Sequence, residues 1–304
     1  MRTVDRDPGA LAYAYDRALV PSAIVAAGET VAVRTADARA GALLDRPIGS
    51  AFDLPSATPG RANPLTGPIA IEGARPGDRL VVTVERIDLD PLGWCGAFAD
   101  VGPVAPGRIP AARGRVHRTD GEGPITVADG IAVPRTPMIG CLGTAPADAA
   151  PSSLAAGAWG GNMDHRPVTT GARVHLPVAV EAALLFVGDV HAAMGDGELS
   201  GLGLETPATV TLTVDVLPGA APAWPWLENA ERVMVLTAAP TFEAARDAAV
   251  AAALDAVEAQ LGAAPADALA LLSLAADLRI GQAFGAPEVT VRLELPADLG
   301  VRPR

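Results

Sequence analysis

Apolar and polar residues alternate along several stretches of the chain with the two-residue period of a half-buried strand. Thr30 to Thr35 (TVAVRT), Arg79 to Arg86 (RLVVTVER) and Ala208 to Val216 (ATVTLTVDV) show it, and in the last of these Val210, Leu212, Val214 and Val216 share one face. Glu288 to Leu295 (EVTVRLEL) repeats the pattern, so strands are expected almost to the C-terminus. The period changes between about 241 and 280, where Val250, Leu254, Val257 and Leu261 follow helical spacing and Asp247, Asp255 and Glu258 take the other side. Thr241 is placed to cap that helix and Gly262 to end it. Pro265 suits the first turn of a second helix, which Gly281 is expected to stop. Strands first, then a C-terminal pair of helices and a strand, predict a mainly β fold with an α+β element, built on antiparallel sheet rather than βαβ units.

The 304 residues suffice for one large unit or two interlocked β-rich subdomains, and 50% hydrophobic residues supply a core. With 4% aromatic residues that core must be mainly Val, Leu, Ile and Ala, and 32 Gly with 28 Pro call for many turns. Pro103 to Gly114 and Gly143 to Ala158 read as loops, active-site loops as readily as linkers, so residues 1–304 are taken as a single unit with no internal boundary. The net charge of -12, from 23 Lys+Arg against 35 Asp+Glu, argues against a nucleic-acid partner. No run nears the roughly 18 apolar residues of a membrane span, and the N-terminal segment lacks a signal-peptide core, so a cytoplasmic protein is expected. Cys95 and Cys141 form no CxxC pair and read as buried thiols.

Polar residues of chemical interest are densest from Gly160 to Glu205, in GGNMDHR and VGDVHAAMGDGELSGLGLE. In extended backbone Asp189 and His191 project from one face, and Asp196 and Glu198 repeat the relation beyond Gly195. Carboxylates joined by one or two imidazoles suit a divalent metal, zinc in particular. The same spacing also fits a Gly-flanked turn at Asp196, a cap at Asp189 and a satisfied buried His191, and His165 beside Asp164 is open to both readings. His117 and His175 lie in strand-like surroundings and read as structural. The chain contains no Lys, which removes the Ser-Ser-Lys mechanism of the amidase-signature enzymes and the Glu-Lys-Cys mechanism of the nitrilase type.

Five motifs in register complete the picture: Asn63 to Asp78 (NPLTGPIAIEGARPGD), PMIGCLGTAP from Pro137, GGNMD from Gly160, LPV at Leu176 to Val178, and GDVHAAMGDGE from Gly188. Together with ALALLSLAADLRI near the C-terminus they make residues 20 to 296 resemble the acetamidase/formamidase family. The resemblance implies a jelly-roll-like part, a second β-rich part and a small α+β element, assembled into dimers or higher homo-oligomers. It implies hydrolysis of small amides such as formamide and acetamide, with a divalent metal, zinc first and calcium second. Carried onto this chain, Asn162, Asp164, Asp189, His191, Asp196 and Glu198 fall on motif positions, and Asp37 resembles an N-terminal Asp near the family's site. Asp37, Asp164, Asp189 and His191 are then the expected metal ligands. Glu198 and Asp196 would move the proton, and Asn162 with the N–H groups of Gly160 and Gly161 would face the oxyanion. Trp159, Met163 and Met194 would line a tight pocket. Trp159 stands where relatives often carry His, so a non-catalytic binding protein and a hydrolase of a different amide are the alternatives.

Overall fold

The computed structural model describes residues 1–7, 9–99, 101–284 and 287–304. Among the described residues the largest sheet has nine strands, in the order Arg2–Val4, Thr30–Thr35, Ala208–Leu217, Arg79–Leu89, Arg173–Pro177, Trp226–Glu228, Arg232–Ala239, Val289–Pro296 and Asp277–Ile280. A six-stranded sheet runs Ala156–Gly157, Gly160–Asn162, Met138–Thr144, Leu185–His191, Leu65–Glu72 and Ala23–Ala26. Pairing is antiparallel as the alternation predicts, except where Arg2–Val4 meets Thr30–Thr35 and Ala23–Ala26 meets Leu65–Glu72. A three-stranded sheet (Ala51–Asp53, Arg113–Arg118, Leu92–Ala97) and a two-stranded one complete the β structure.

The alternating patterns explain the sandwich. Val210, Leu212 and Val214 of one sheet and Ile139, Leu142, Leu185 and Val187 of the other belong to one buried cluster between the two large sheets. That core is aliphatic, as the low aromatic content requires. On the opposite face, the part of the nine-stranded sheet formed by Trp226–Glu228, Arg232–Ala239 and Val289–Pro296 is covered by helix α1 (Phe242–Leu261) and helix α2 (Pro265–Ala275). Thr241 accepts a hydrogen bond from the N–H of Ala244, and Gly262 closes α1 at φ 66°, as expected of a cap and a left-handed stop.

Two helix details differ from the sequence reading. The buried stripe of α1 is Ala245, Ala249, Ala253, Ala256 and Val257, while Leu261 is 42% exposed. Alanines let the helix lie close on the sheet, and the larger side chains flank the contact. Helix α2 ends at Ala275 rather than at Gly281, because Asp277–Ile280 leaves it to pair with Val289–Pro296 as an edge strand. No described helix is long and apolar enough to cross a membrane.

Candidate active site

The site forms where the six-stranded sheet leaves regular geometry. Leu185–His191 pairs with Met138–Thr144, and Gly160–Asn162 pairs with the other edge of that strand, so Asp189 and His191 arrive from one flanking strand and Asp164 from just beyond the other. Asp164, Asp189 and Glu198 adopt φ of 49°, 56° and 42°, a left-handed backbone that costs an L-residue roughly 1 kcal/mol or more. Asn63 shares it at φ 49°. Gly140 lies between two of the carboxylates: a Cβ there would collide with Asp164 and come within 2.7 Å of Asp189 Oδ2. Glu205 is brought in by backbone bridges to His191 and Trp94.

Two groups share His191. Ligand atoms of Asp164, Asp189 and His191 lie within 4.8 Å of one another, and so do those of His191, Glu198 and Glu205. His191 Nε2 is 3.2 Å from Glu205 Oε1 and 3.6 Å from Asp189 Oδ1, without the alignment of a hydrogen bond. Both oxygens of Asp164, Oδ1 of Asp189, Oε2 of Glu205 and both nitrogens of His191 are buried with no hydrogen-bond partner among the described residues. Such groups are rare in native interiors and costly unless a ligand satisfies them. One imidazole and several carboxylate oxygens converging without donors are a donor set that fits a divalent cation.

The electrostatics follow from this crowding. Burial, then Asp189, pushes Asp164 up to about 8 against the pull of His191. Burial raises Glu205 to about 7, with His191 opposing and Asp189 adding. Glu198 is held well above the ordinary carboxylate range by burial and by Asp164. For His191 burial disfavours the charge, but Glu205 and Asp189 outweigh it and the net shift is upward. Around the cluster, Asn63 Nδ2 donates to Asp189 Oδ2 (2.9 Å) and Asn162 Oδ1 (3.2 Å). The Cys141 thiol donates to Asn162 Oδ1 at 2.9 Å, and burial followed by Asp189 keeps it protonated. Gln282 Nε2 donates to the Asn162 carbonyl (2.9 Å).

A pocket of about 260 Å³ opens beside the cluster, lined by Asn63, Asn162, Glu198 and Glu205 with Arg39, Phe98 and several aliphatic residues. Asn63 and Glu205 were not sequence candidates, although both stand in runs singled out above; no spacing rule connects positions so far apart. Asp164, Asp189, His191, Asn162 and Glu198 are brought together. Asp196 is not: Gly197 (φ 98°) and Glu198 break the extended path, and both Asp196 oxygens are taken by Arg292, at 2.9 and 2.7 Å. Asp37 is likewise engaged. Its carboxylate accepts the N–H groups of Arg39 (3.0 Å) and Gly41 (2.7 Å) and Trp94 Nε1 (2.9 Å), so it closes a turn instead of joining the cluster.

The expected pocket lining also changes. Met163 packs into the main core, and Met194 lines a separate cavity of about 420 Å³. Trp159 packs beside Tyr15, with ring centroids 6.4 Å apart and the ring planes tilted by 55°. Gly160 and Gly161 belong to a strand paired on both edges; a Cβ on either would strike Leu142 O or Ala155 O, so close strand packing requires them. His117 and His175 have the partners of structural residues, Thr126 O at 3.2 Å and Glu228 Oε1 at 3.2 Å. His165 is fully buried with neither nitrogen partnered among the described residues, and burial, then Arg292, holds it well below its ordinary pKa.

Comparison with known proteins agrees with the motifs. The crystal structure of an acetamidase from Bacillus halodurans is 30% identical with a TM-score of 0.90, covering 98% of each chain. That of an acetamidase from Yersinia enterocolitica is 29% identical with a TM-score of 0.90, covering 99% of this chain and 93% of the other. A formamidase from Methylophilus methylotrophus is 28% identical over 193 residues, 46% of this chain and 47% of the relative. The chain spans 60% or less of the length of the curated relatives it matches. The model of the Acetamidase/Formamidase family matches residues 12–157 and 153–300, and this chain belongs to that family.

Proposed function

We propose that this protein hydrolyses the C–N bond of small amides, releasing ammonia and a carboxylate. The observation that carries the reading is the buried, hydrogen-bond-deficient cluster of Asp164, Asp189, His191 and Glu205, opening on a small pocket that contains Asn162 and Glu198. Family membership and the acetamidase and formamidase relatives support it.

An unactivated amide needs a strong nucleophile, stabilisation of the developing oxyanion and a proton for departing ammonia. Asp164, Asp189 and His191 would hold a divalent cation, zinc first and calcium second, with Glu205 beside them. Such an ion would supply Lewis-acid polarisation of the amide carbonyl and, if zinc, would make water acidic enough to ionise near neutrality. Asn63 orients Asp189 and Asn162 together, and Asn162 Nδ2, which gives one N–H to Gln282 Oε1 at 3.5 Å, has a second N–H for the amide oxygen. Glu198, held well above the ordinary carboxylate range by burial and by Asp164, is the acid placed to deliver the proton to the leaving nitrogen. The acidic surface suits a cytoplasmic homo-oligomer, which light scattering after size exclusion checks.

The test is ammonia release from formamide, acetamide and propionamide, before and after chelation and readdition of zinc or calcium. Release abolished by chelation and restored by one metal supports the whole reading; release that survives stringent metal removal keeps the hydrolase and discards the metal. No release from any amide sinks the hydrolase in favour of a binding protein on the same fold. Unchanged turnover in Glu198→Gln would remove Glu198 from the acid/base role.

A further inference from the structure

The pocket beside the cluster combines a buried polar part with half-buried apolar walls and one cation. Asn162, Glu198 and Glu205 are at most 6% exposed and form its buried end. Phe98, Val101, Leu202 and Phe284 are half-buried, Leu154 is exposed, and all of them line the same space nearer solvent. Arg39 is the one cationic residue among the described lining, with its guanidinium over the Phe98 ring at 5.9 Å from the centroid.

Arg39 is placed by a rigid turn. The Asp37 carboxylate accepts the N–H groups of Arg39 and Gly41 and is itself fixed by Trp94 Nε1. Ala38 O accepts the N–H of Asn63, whose side chain reaches Asp189, so the turn and the cluster are tied through one residue. Burial lowers the pKa of Arg39 while Glu205 and Asp37 act in the opposite sense, so the guanidinium and the site carboxylates feel one another.

Size also matters. Water occupies about 30 Å³ per molecule in the liquid, and formamide has only three heavy atoms, so a pocket of about 260 Å³ is far larger than the amide head. The remaining space has apolar walls for methylene groups and a planar fork of donors that matches a carboxylate.

We propose that the preferred substrate is a primary amide bearing a carboxylate at its far end, a short monoamide of a dicarboxylic acid, with the amide at Asn162 and Glu198 and the carboxylate on Arg39. This rests on the hydrolase reading above. A water oxygen bonds to the amide carbon, the C–N bond breaks with its electron pair leaving on nitrogen, one of the water's protons passes to that nitrogen so that it departs as ammonia, and the other leaves the new carboxyl group. The product is the dicarboxylate, and its second carboxylate never leaves Arg39 during the reaction.

The experiment compares kcat/KM for malonamate, succinamate and glutaramate with that for uncharged amides of matching length, in the wild type, Arg39→Gln and Arg39→Lys, each checked for folding by thermal melting. At least one carboxylated amide is expected to exceed its uncharged match about tenfold, a charge-assisted contact being worth roughly 10- to 100-fold. Arg39→Gln should cut that ratio at least tenfold, and Arg39→Lys, lacking the fork, should fall between. Hydrolysis of formamide or acetamide without any preference for the carboxylated series, or a preference that survives Arg39→Gln, overturns the proposal and leaves the hydrolase standing. If no amide is hydrolysed the hydrolase reading fails. Calorimetry with succinate then decides the anion site alone: binding lost in Arg39→Gln supports it, and no binding to the wild type overturns it.

Discussion

Two clusters of buried charge lie near one another and have been treated by the fold in opposite ways. Around Arg292 every partner is supplied by the chain: its Nη atoms bind both oxygens of Asp196 and its Nε binds Glu294 at 2.6 Å. Around His191 the chain supplies acids and almost no donors, so Asp164 keeps two orphaned oxygens and His191 two orphaned nitrogens among the described residues. Arg292 and Glu294 sit in a regular strand, whereas Asp164, Asp189 and Glu198 are in left-handed backbone. Burial of charge therefore says little about function. What separates a structural network from a site is whether the fold has already satisfied the groups it buries.

The comparison breaks most visibly at Gly140. A methyl there meets the carboxylates of Asp164 and Asp189. Displacing them by about an ångström should cost Gly140→Ala a hundredfold or more in kcat/KM, measured as ammonia release. Wild-type turnover in this variant would falsify the cluster as the catalytic centre.

The satisfied network should respond in stability. Arg292→Met leaves Asp196 and Glu294 without their cation, and losing one partner of a buried ion pair costs about 3 to 5 kcal/mol. The lower end is expected, since the Asp196 side chain stays 28% exposed. Urea unfolding gives the value, and a loss below about 1 kcal/mol would show that the pairing contributes as little as a surface one. Turnover should fall as well, because Asp196 is two residues from Glu198 and Gly197 is bridged to Gln282.

The unsatisfied cluster should gain from what the other cannot use. Zinc or calcium added to chelated protein at a hundredfold excess over its Kd should stabilise folding by about 2.7 kcal/mol. A melting temperature indifferent to every divalent cation would leave the orphaned atoms without a ligand. In Asp164→Asn the stabilisation should shrink, whereas Arg292→Met should retain it.

Much of this architecture is legible in the alternation of Val, Leu and Thr, because a sandwich buries one face of each strand and every second residue records it. The same record was ambiguous in α1. Alanines carry the contact there, and their small hydrophobicity is overshadowed by flanking Val250 and Leu254, which are only half-buried. For the site, the motifs located Asp164, Asp189, His191 and Glu198, but they and the two-residue spacing also placed Asp196 beside Glu198. The spacing assumed extended backbone, and Gly197 turns the chain instead. Asn63 and Glu205 enter through pairing between distant segments, which one sequence without relatives does not encode in any local pattern.

Asp37 tests that boundary with the smallest effect. The family resemblance drew it toward the metal, while the structure surrounds its carboxylate with Arg39 N–H, Gly41 N–H and Trp94 Nε1, making it a satisfied group like Asp196. Asp37→Asn puts an amide where at least one of those donors needs an acceptor, a loss of roughly 2 kcal/mol for hydrogen bonds to a charged group. If Asp37 closes the turn, urea unfolding shifts by about that amount and the metal dependence of ammonia release from acetamide is unaltered. If Asp37 instead completes the cation site, the variant needs far more metal to reach the same rate. The carboxylate would then belong with Asp164 and Asp189, on the unsatisfied side of the comparison.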